Sequence, residues 1–513
     1  MWQHWLLFVR SAAHIYPSVS KNYLKKQAGI LMENIKKRLA LRLPARASLW
    51  YILSGAAARG VGMLGTPIFT RLLTTEQYGL YPLFTTWMGL FSVVLTLELT
   101  GGVILRGLQR YEGRRDEFLS GALGLILTVC FVGAVLYFAF FEEINRITGL
   151  DTLTSTLLIL NIILNAISSL YSARCRFEYK YKRVALINLL SAVGMPTVAV
   201  GLILLTPLRE EARIIAAVLI GAATSLPLLV GFIRRSHRLI SLRVWGYLLR
   251  INLPLLPHYL SVAVILRVGE LTVGRVFGQA ALGKYSVAVS LGMSLTMITG
   301  GLLGAIGPWV LRKIRQTDFA AIRNLVSVTT RGLCLICLLL LCVLPETIRI
   351  FTPRQYHDVL VAVYPLVLTV IPMFLSGVIS SAEMYYERSF LASLPSVAAA
   401  LLCTSLSLWL LPSLDYRTAG IFVLASYVIM TALGFLVFRR MSGNWIIEPK
   451  GVLISFALTA LYAIVILLLR ERVAARAVLI IPLIPMLIFC ALDLKRKIHE
   501  PDTLPKIDEA GDG

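Results

Sequence analysis

The chain has 513 residues, 57% of them hydrophobic and 15% charged, with a mean hydropathy of +0.78. That composition excludes an ordinary water-soluble globule and makes lipid the expected solvent for most of the sequence. The net charge of +23 does not point to nucleic acid, because the basic residues alternate from loop to loop instead of forming one patch.

Fourteen apolar runs are each long enough to cross roughly 30 Å of hydrocarbon as a helix. Their cores fall at 48–70, 81–105, 118–141, 150–171, 184–205, 214–233, 251–274, 285–311, 326–344, 359–381, 390–411, 417–437, 451–469 and 477–492. The expected fold is therefore all-α and polytopic. With the N-terminus inside, the inside segments carry 35 Lys and Arg and the outside segments 12, while Arg59, Arg267 and Arg331 fall within spans. This asymmetry is the positive-inside signal and assigns both termini to the cytoplasm.

In chain order, residues 1–47 form a basic extension. Its opening "MWQHWLLFVRSAAHIY" has too short an apolar run to span and no small-residue cleavage site. Two readings stand: a Trp-anchored helix on the membrane surface, or a natural start at Met32 that leaves residues 1–31 outside the natural protein. Span 1 follows, interrupted by Gly55, Gly60, Gly62, Gly65 and Pro67, and it leads into "TRLLTTEQYGLY", Thr70 to Tyr81. A related loop, "GRVFGQAALGKY", closes span 7. An offset of 204 pairs Arg71 with Arg275, Gly79 with Gly283 and Tyr81 with Tyr285. Further on, "EYKYKRVAL" and "EMYYERSFL" match at an offset of 205. Two separated blocks at nearly one offset indicate an internal duplication.

The duplication carries span 1 onto span 7. Six helices then form one unit, and since six is even both copies share one orientation, related by an axis along the membrane normal. The expected units are an N-lobe at 48–233, a basic cytoplasmic linker at 234–250 and a C-lobe at 251–438. Spans 13 and 14 follow at 439–492, then a cytoplasmic tail at 493–513. Two such bundles enclose a cavity, and the repeated loop, with Arg71, Gly79, Tyr81, Arg275, Gly283 and Tyr285, becomes the gate at its outer end. Proline and glycine clusters in spans 1 and 7 suit either bending or close packing.

Charges inside spans are costly, at least roughly 2.5–3.5 kcal/mol each, and so mark candidate sites. Arg59 lies twelve residues before Arg71, about 18 Å along a helix. Arg267 maps through the repeat to position 63, four residues after Arg59 and on the same face. If that face looks into the cavity, two guanidinium groups converge there, and their planar forks suit a phosphorylated anion. Local pairing is the alternative, with Glu270 for Arg267 and Glu98 for Arg59. Glu98 and Glu270 are also candidates for exchanging a coupling ion or positioning the arginines, and His258 is a further ion-coupling candidate for which a plain hydrogen bond is the stronger reading.

Three stretches carry a family resemblance: "TPIFTRLLTTEQYGLYPLF", "LPLLPHYLSVAVILRVGELTVGRVFGQAALGKYSVAVSL" and "LLPSLDYRTAGIFVLASYVI". They resemble the bacterial lipid-linked oligosaccharide flippases, the O-antigen and polysaccharide exporters of the multidrug/oligosaccharidyl-lipid/polysaccharide exporter superfamily. The resemblance covers residues 48 to 492. It implies two six-helix lobes with two added helices in the bacterial inner membrane. It also implies transfer of an undecaprenyl-diphosphate-linked glycan to the outer leaflet, beside a polysaccharide polymerase and a chain-length regulator. No cofactor is implied, and coupling to H+ or Na+ is left open. Relatives often carry Asp where Glu270 stands, which leaves an ion-coupling role for that position in doubt.

Rival functions are a lipid II flippase, a multidrug antiporter of the same superfamily and a membrane glycan polymerase or ligase. An antiporter of cations would be expected to line its cavity with carboxylates. An enzyme would ordinarily need a sizeable outer loop, whereas the longest expected here is Pro345 to Asp358, and no nucleophile, metal or phosphate-loop motif stands out. Cys334 and Cys337 lie in an apolar run without a second pair, so they read as core residues.

Overall fold

Hydrocarbon offers no partner for a free backbone N–H or C=O, so a chain this apolar can cross it only as helices or as a closed barrel. Uninterrupted runs of about 20 residues select the helix. The computed structural model of the chain describes residues 60–499, apart from 62–64, 102, 179, 236–238, 387 and 388, and the described residues are helical with no strand. Among them, twelve helices are long and apolar enough to cross a membrane. One of these, Leu242–Arg315, runs through both span 7 and span 8. Most of span 1, the N-terminal extension and Arg59 lie outside the described residues.

Span 2 is the helix Thr75–Leu95, which starts six residues earlier than hydropathy alone suggests. The cause is a capping box within the repeated loop: the Thr74 hydroxyl accepts from the Gln77 N–H, and the Gln77 side chain accepts from the Thr74 N–H. Its 21 residues cover about 31 Å, so it has crossed the hydrocarbon by Leu95. Leu97 and Glu98 then adopt left-handed backbone (φ 53° and 46°), and the chain turns into a short helix, Val103–Arg110. Glu98, expected deep in span 2, therefore sits in the break past its end.

Spans 3 to 6 are Arg115–Ala139, Thr152–Phe177, Tyr181–Leu205 and Ala212–Arg235, which pack mainly on one another. Pro254 and Pro257 do not bend span 7. Pro254 lies in a 3-10 turn, Leu253–Leu255, and Pro257 in the first turn of the helix Leu256–Gly292, where a missing N–H costs nothing. The only non-helical residue inside that helix is Gly278, with φ 82°. Side chains rarely adopt that angle, and here it makes the turn from span 7 to span 8. Span 9, Phe319–Phe351, continues through Pro345, so much of the expected outer loop is helix. Spans 10 to 12 end at Glu383, Leu410 and Ser442 and pack on one another.

Spans 13 and 14, Pro449–Leu468 and Val473–His499, lie against span 9. Arg476 pins them there. It is 2% exposed, donates to the Cys342 carbonyl at 2.6 Å and forks onto both carboxylate oxygens of Glu346 in span 9. Arg476→Ala is expected to lower thermal stability in detergent by about 3 kcal/mol or less. That is the bottom of the range for breaking a buried pair, because Glu346 is 34% exposed. Replacing both partners with leucine should recover most of the loss. Cys334 and Cys337 are buried and free, as their apolar setting suggests.

At the opposite membrane face, Arg174 bridges Asp116 of span 3 and Glu178, and Lys180 holds the same Glu178 carboxylate at 2.5 Å. Burial alone would raise the Glu178 carboxyl, but the hydrogen bonds from Lys180 and Arg174 outweigh it and hold it below its ordinary 4.5. A depressed folded value means stability that is present at neutral pH and lost as the pH falls below 4.5 through that value. The melting temperature in detergent should be flat from pH 7 to 5 and decline below it, with a shallower decline in Glu178→Gln.

Candidate functional site

Two features lie where the bundles meet and where one of them opens. The first is a seam between span 2 and the helix Leu256–Gly292. At the face that the charge asymmetry assigns to the outside, Gly79 and Gly283 let the two backbones touch. A Cβ on Gly79 would lie 2.1 Å from the Gln279 carbonyl oxygen, and one on Gly283 would lie 2.4 Å from that of Thr75. Beside them Tyr78 and Tyr356 pack edge to face at 6.1 Å, and Arg71 donates to the Ile350 carbonyl at 3.1 Å. This face is closed. The repeated loop does bring its two glycines together.

Deeper in the seam, Glu270 is 4% exposed and accepts from Arg267 at 2.8 Å and from the Thr86 hydroxyl of span 2 at 3.0 Å. Arg267 also lies over Gly89, where an added Cβ would be 3.1 Å from its Nε. Arg267 is thus ion-paired in this closed state, and the pair ties span 7 to span 2. His258 shares a 2.9 Å hydrogen bond with Ser396 of span 11. Arg275 is exposed and lines a separate pocket of 420 Å3 with Arg146, Trp87 and Gln279. Tyr285 is fully buried, its ring against Gly269.

The second feature is a cavity of 740 Å3 among spans 1, 2, 4, 5 and 6, within the roughly 300–1,000 Å3 common for ligand pockets. Span 4 gives it a polar stripe, Asn161, Asn165, Ser168, Ser172 and Arg176, at the helical spacing that places these residues on one face. Span 5 adds Asn188 and Ser191, and span 6 adds Thr224, Ser225 and Arg213. Ser168 and Ser225 share a 2.8 Å hydrogen bond across the wall, and Ser225 donates to the Leu164 carbonyl. Asn165 is anchored to the Asn161 carbonyl at 2.9 Å. Among the described residues, the lining contains two arginines and no carboxylate.

A family model described as polysaccharide biosynthesis protein matches residues 45–313, slightly more than half of the chain. The chain belongs to that family. Among solved structures, the chain is similar to an inward-facing multidrug resistance MATE family transporter of the MOP superfamily. That match has a TM-score of 0.58 and 14% identity, covering 75% of this chain and 94% of the other. An outward-facing MATE family transporter of the same superfamily matches with a TM-score of 0.55 and 16% identity over 78% and 95%. A Vibrio cholerae MATE transporter gives 0.51 and 13% over 78% and 96%. At these identities the likeness is one of fold. No curated protein matches the sequence.

The expected site residues fall into separate places. Gly79 and Gly283 meet at the seam, Arg267 and Glu270 pair beneath them, Tyr81 lines the N-lobe cavity and Glu98 lies at the break after span 2. Arg213 lies one residue before the hydropathy core of span 6, yet it is only 9% exposed, at the closed end of the cavity. An arginine in the first turn of a helix opposes the helix dipole, and that mismatch is the sequence signal for it. The stripe in span 4 was equally readable from its spacing.

Proposed function

We propose that the protein moves an undecaprenyl-diphosphate-linked oligosaccharide from the cytoplasmic to the outer leaflet by alternating access, for cell-surface polysaccharide such as O-antigen in lipopolysaccharide. The observation that carries this reading is the lining of the N-lobe cavity. Amides, hydroxyls and the faces of Phe69, Tyr81 and Phe84 are the groups that bind sugar hydroxyls and ring faces, and two arginines without a carboxylate among the described lining residues favour an anionic ligand. Arg59 and Arg267 would hold the diphosphate once the seam opens and Arg267 leaves Glu270. The lipid tail would stay in the bilayer, and a polymerase and chain-length regulator would take the product at the bacterial inner membrane.

A diphosphate with about two negative charges gains roughly 4–5 kcal/mol per 100 mV on moving outward through the full field of an inside-negative membrane. The potential alone can therefore drive the step, and H+ or Na+ coupling is not required. The multidrug antiporter reading is disfavoured because the described lining of the cavity offers two arginines and no carboxylate to a cation. Lipid II shares the diphosphate, and complementation of a lipid II flippase depletion separates the two.

The test is accumulation of the lipid-linked repeat unit by leaflet in cells lacking the protein and in cells carrying Arg59→Ala with Arg267→Ala. Accumulation facing the cytoplasm in both supports the function and the arginine site together. Accumulation only in the deletion keeps the function and removes the site, and accumulation in neither removes the function.

A further inference from the structure

We propose that the N-lobe cavity is a binding site for an acidic sugar and that Arg213 reads its carboxylate. As a statement about transport, this rests on the flippase reading above; as a statement about binding, it stands on the cavity alone. Arg213 is 9% exposed and lies at the closed end of the cavity. Its guanidinium sits over three rings, 3.9 Å from Tyr81, 4.6 Å from Phe69 and 4.8 Å from Tyr78. Those faces stabilise the charge but do not accept its in-plane N–H groups, and both Nε and Nη1 are buried without a hydrogen-bond partner among the described residues. An arginine held flat by aromatic rings, with donors unmet, is pre-organised for a planar two-oxygen acceptor.

The position of Arg213 separates two sources of such an acceptor. Arg176 is exposed in the last turn of span 4, on the face that the charge asymmetry assigns to the cytoplasm, whereas Arg213 is in the first turn of span 6 near the closed seam. Asn161, part-way along the wall, is already about 22 Å from Arg176 at a helical rise. In this closed state a carrier diphosphate arriving at headgroup level reaches the Arg176 end, and it passes to Arg59 and Arg267 only once the seam opens. Only the glycan, inserted head first past the asparagines and serines of span 4, reaches Arg213, so the anion read there belongs to a sugar.

The experiment uses the full chain. In proteoliposomes, flipping is compared for two lipid-diphosphate-linked glycans, one with a uronic acid and one with that residue reduced to the neutral hexose. The wild-type protein should favour the acidic glycan at least tenfold in kcat/KM, and Arg213→Gln should remove most of that ratio, with Arg213→Lys between them. No preference in the wild-type protein overturns the proposal. So does a loss in Arg213→Gln that is equal for both glycans, which would mean that Arg213 meets the diphosphate or only supports the fold.

Calorimetry on the detergent-purified protein with trigalacturonate and its carboxyl-reduced trisaccharide gives a readout independent of flipping. At least tenfold tighter binding of the acid is expected, and equal or absent binding overturns the site. If the acid binds tighter but neither lipid-linked glycan moves, the site stands and the flippase reading falls.

Discussion

Gly79→Ala, one added methyl group, is expected to keep the two lobes from closing on the outer face and to reduce flipping at least tenfold. The Cβ would stand 2.1 Å from the Gln279 carbonyl oxygen, a backbone atom that cannot rotate aside, so the helices must separate. Overpacking of this kind costs about 1–3 kcal/mol, and a cost borne only by the closed state shifts the conformational equilibrium by about 5- to 150-fold. Gly283→Ala should act in the same way through the Thr75 carbonyl, 2.4 Å from its Cβ. Gly332→Ala in span 9, where nothing lies within 4 Å of the added atom, is the matched control and should be silent. Spin labels on the exposed Glu76 and Gln355 would report the gap directly. A short distance population in the wild-type protein should disappear in the Gly79 variant, and its persistence would show that the crossing is not a gate.

The spans and the closeness of the repeated loops were legible because both are periodic features of one chain. Hydropathy marks each crossing, and the offset that pairs Gly79 with Gly283 in sequence also brings them into contact. Element ends were read less well. Span 2 begins at its capping box, a local hydrogen-bonding feature, whereas hydropathy averages polar Thr74 and Gln77 into the neighbouring loop. The same averaging put Arg213 outside the membrane segment. Burial of a lone arginine depends on which aromatic faces surround it, and Phe69, Tyr78 and Tyr81 come from elements far from it in sequence. Glu270 was a candidate partner for Arg267 from its i+3 spacing, but the hydroxyl of Thr86, which makes the pair a bridge between lobes, is 184 residues away and has no sequence signature.

That bridge gives the two roles of Arg267 different outcomes. Glu270→Ala is expected to release Arg267 from a partner that it holds at 2.8 Å and to deprive Thr86 of its acceptor. With Glu270 only 4% exposed, losing a charged acceptor at this position costs the closed state about 1.5–3 kcal/mol. The outer face should open more readily. If Arg267 also holds the diphosphate, the released guanidinium should lower the substrate KM in Glu270→Ala, and Arg267→Ala should raise KM in the presence or absence of Glu270. If Arg267 serves only to lock the lobes, Arg267→Ala, Glu270→Ala and the double variant should behave alike, since removing either partner breaks the same bond. The double-mutant cycle on KM therefore separates them: near-complete coupling means a lock, whereas a residual Arg267 effect in the Glu270→Ala background means substrate contact. Thr86→Val completes the comparison, because it removes the link between lobes while leaving the Arg267–Glu270 pair in place. It should ease opening without raising KM, and a KM as high as that of Arg267→Ala would show that the seam, and not the guanidinium, governs binding.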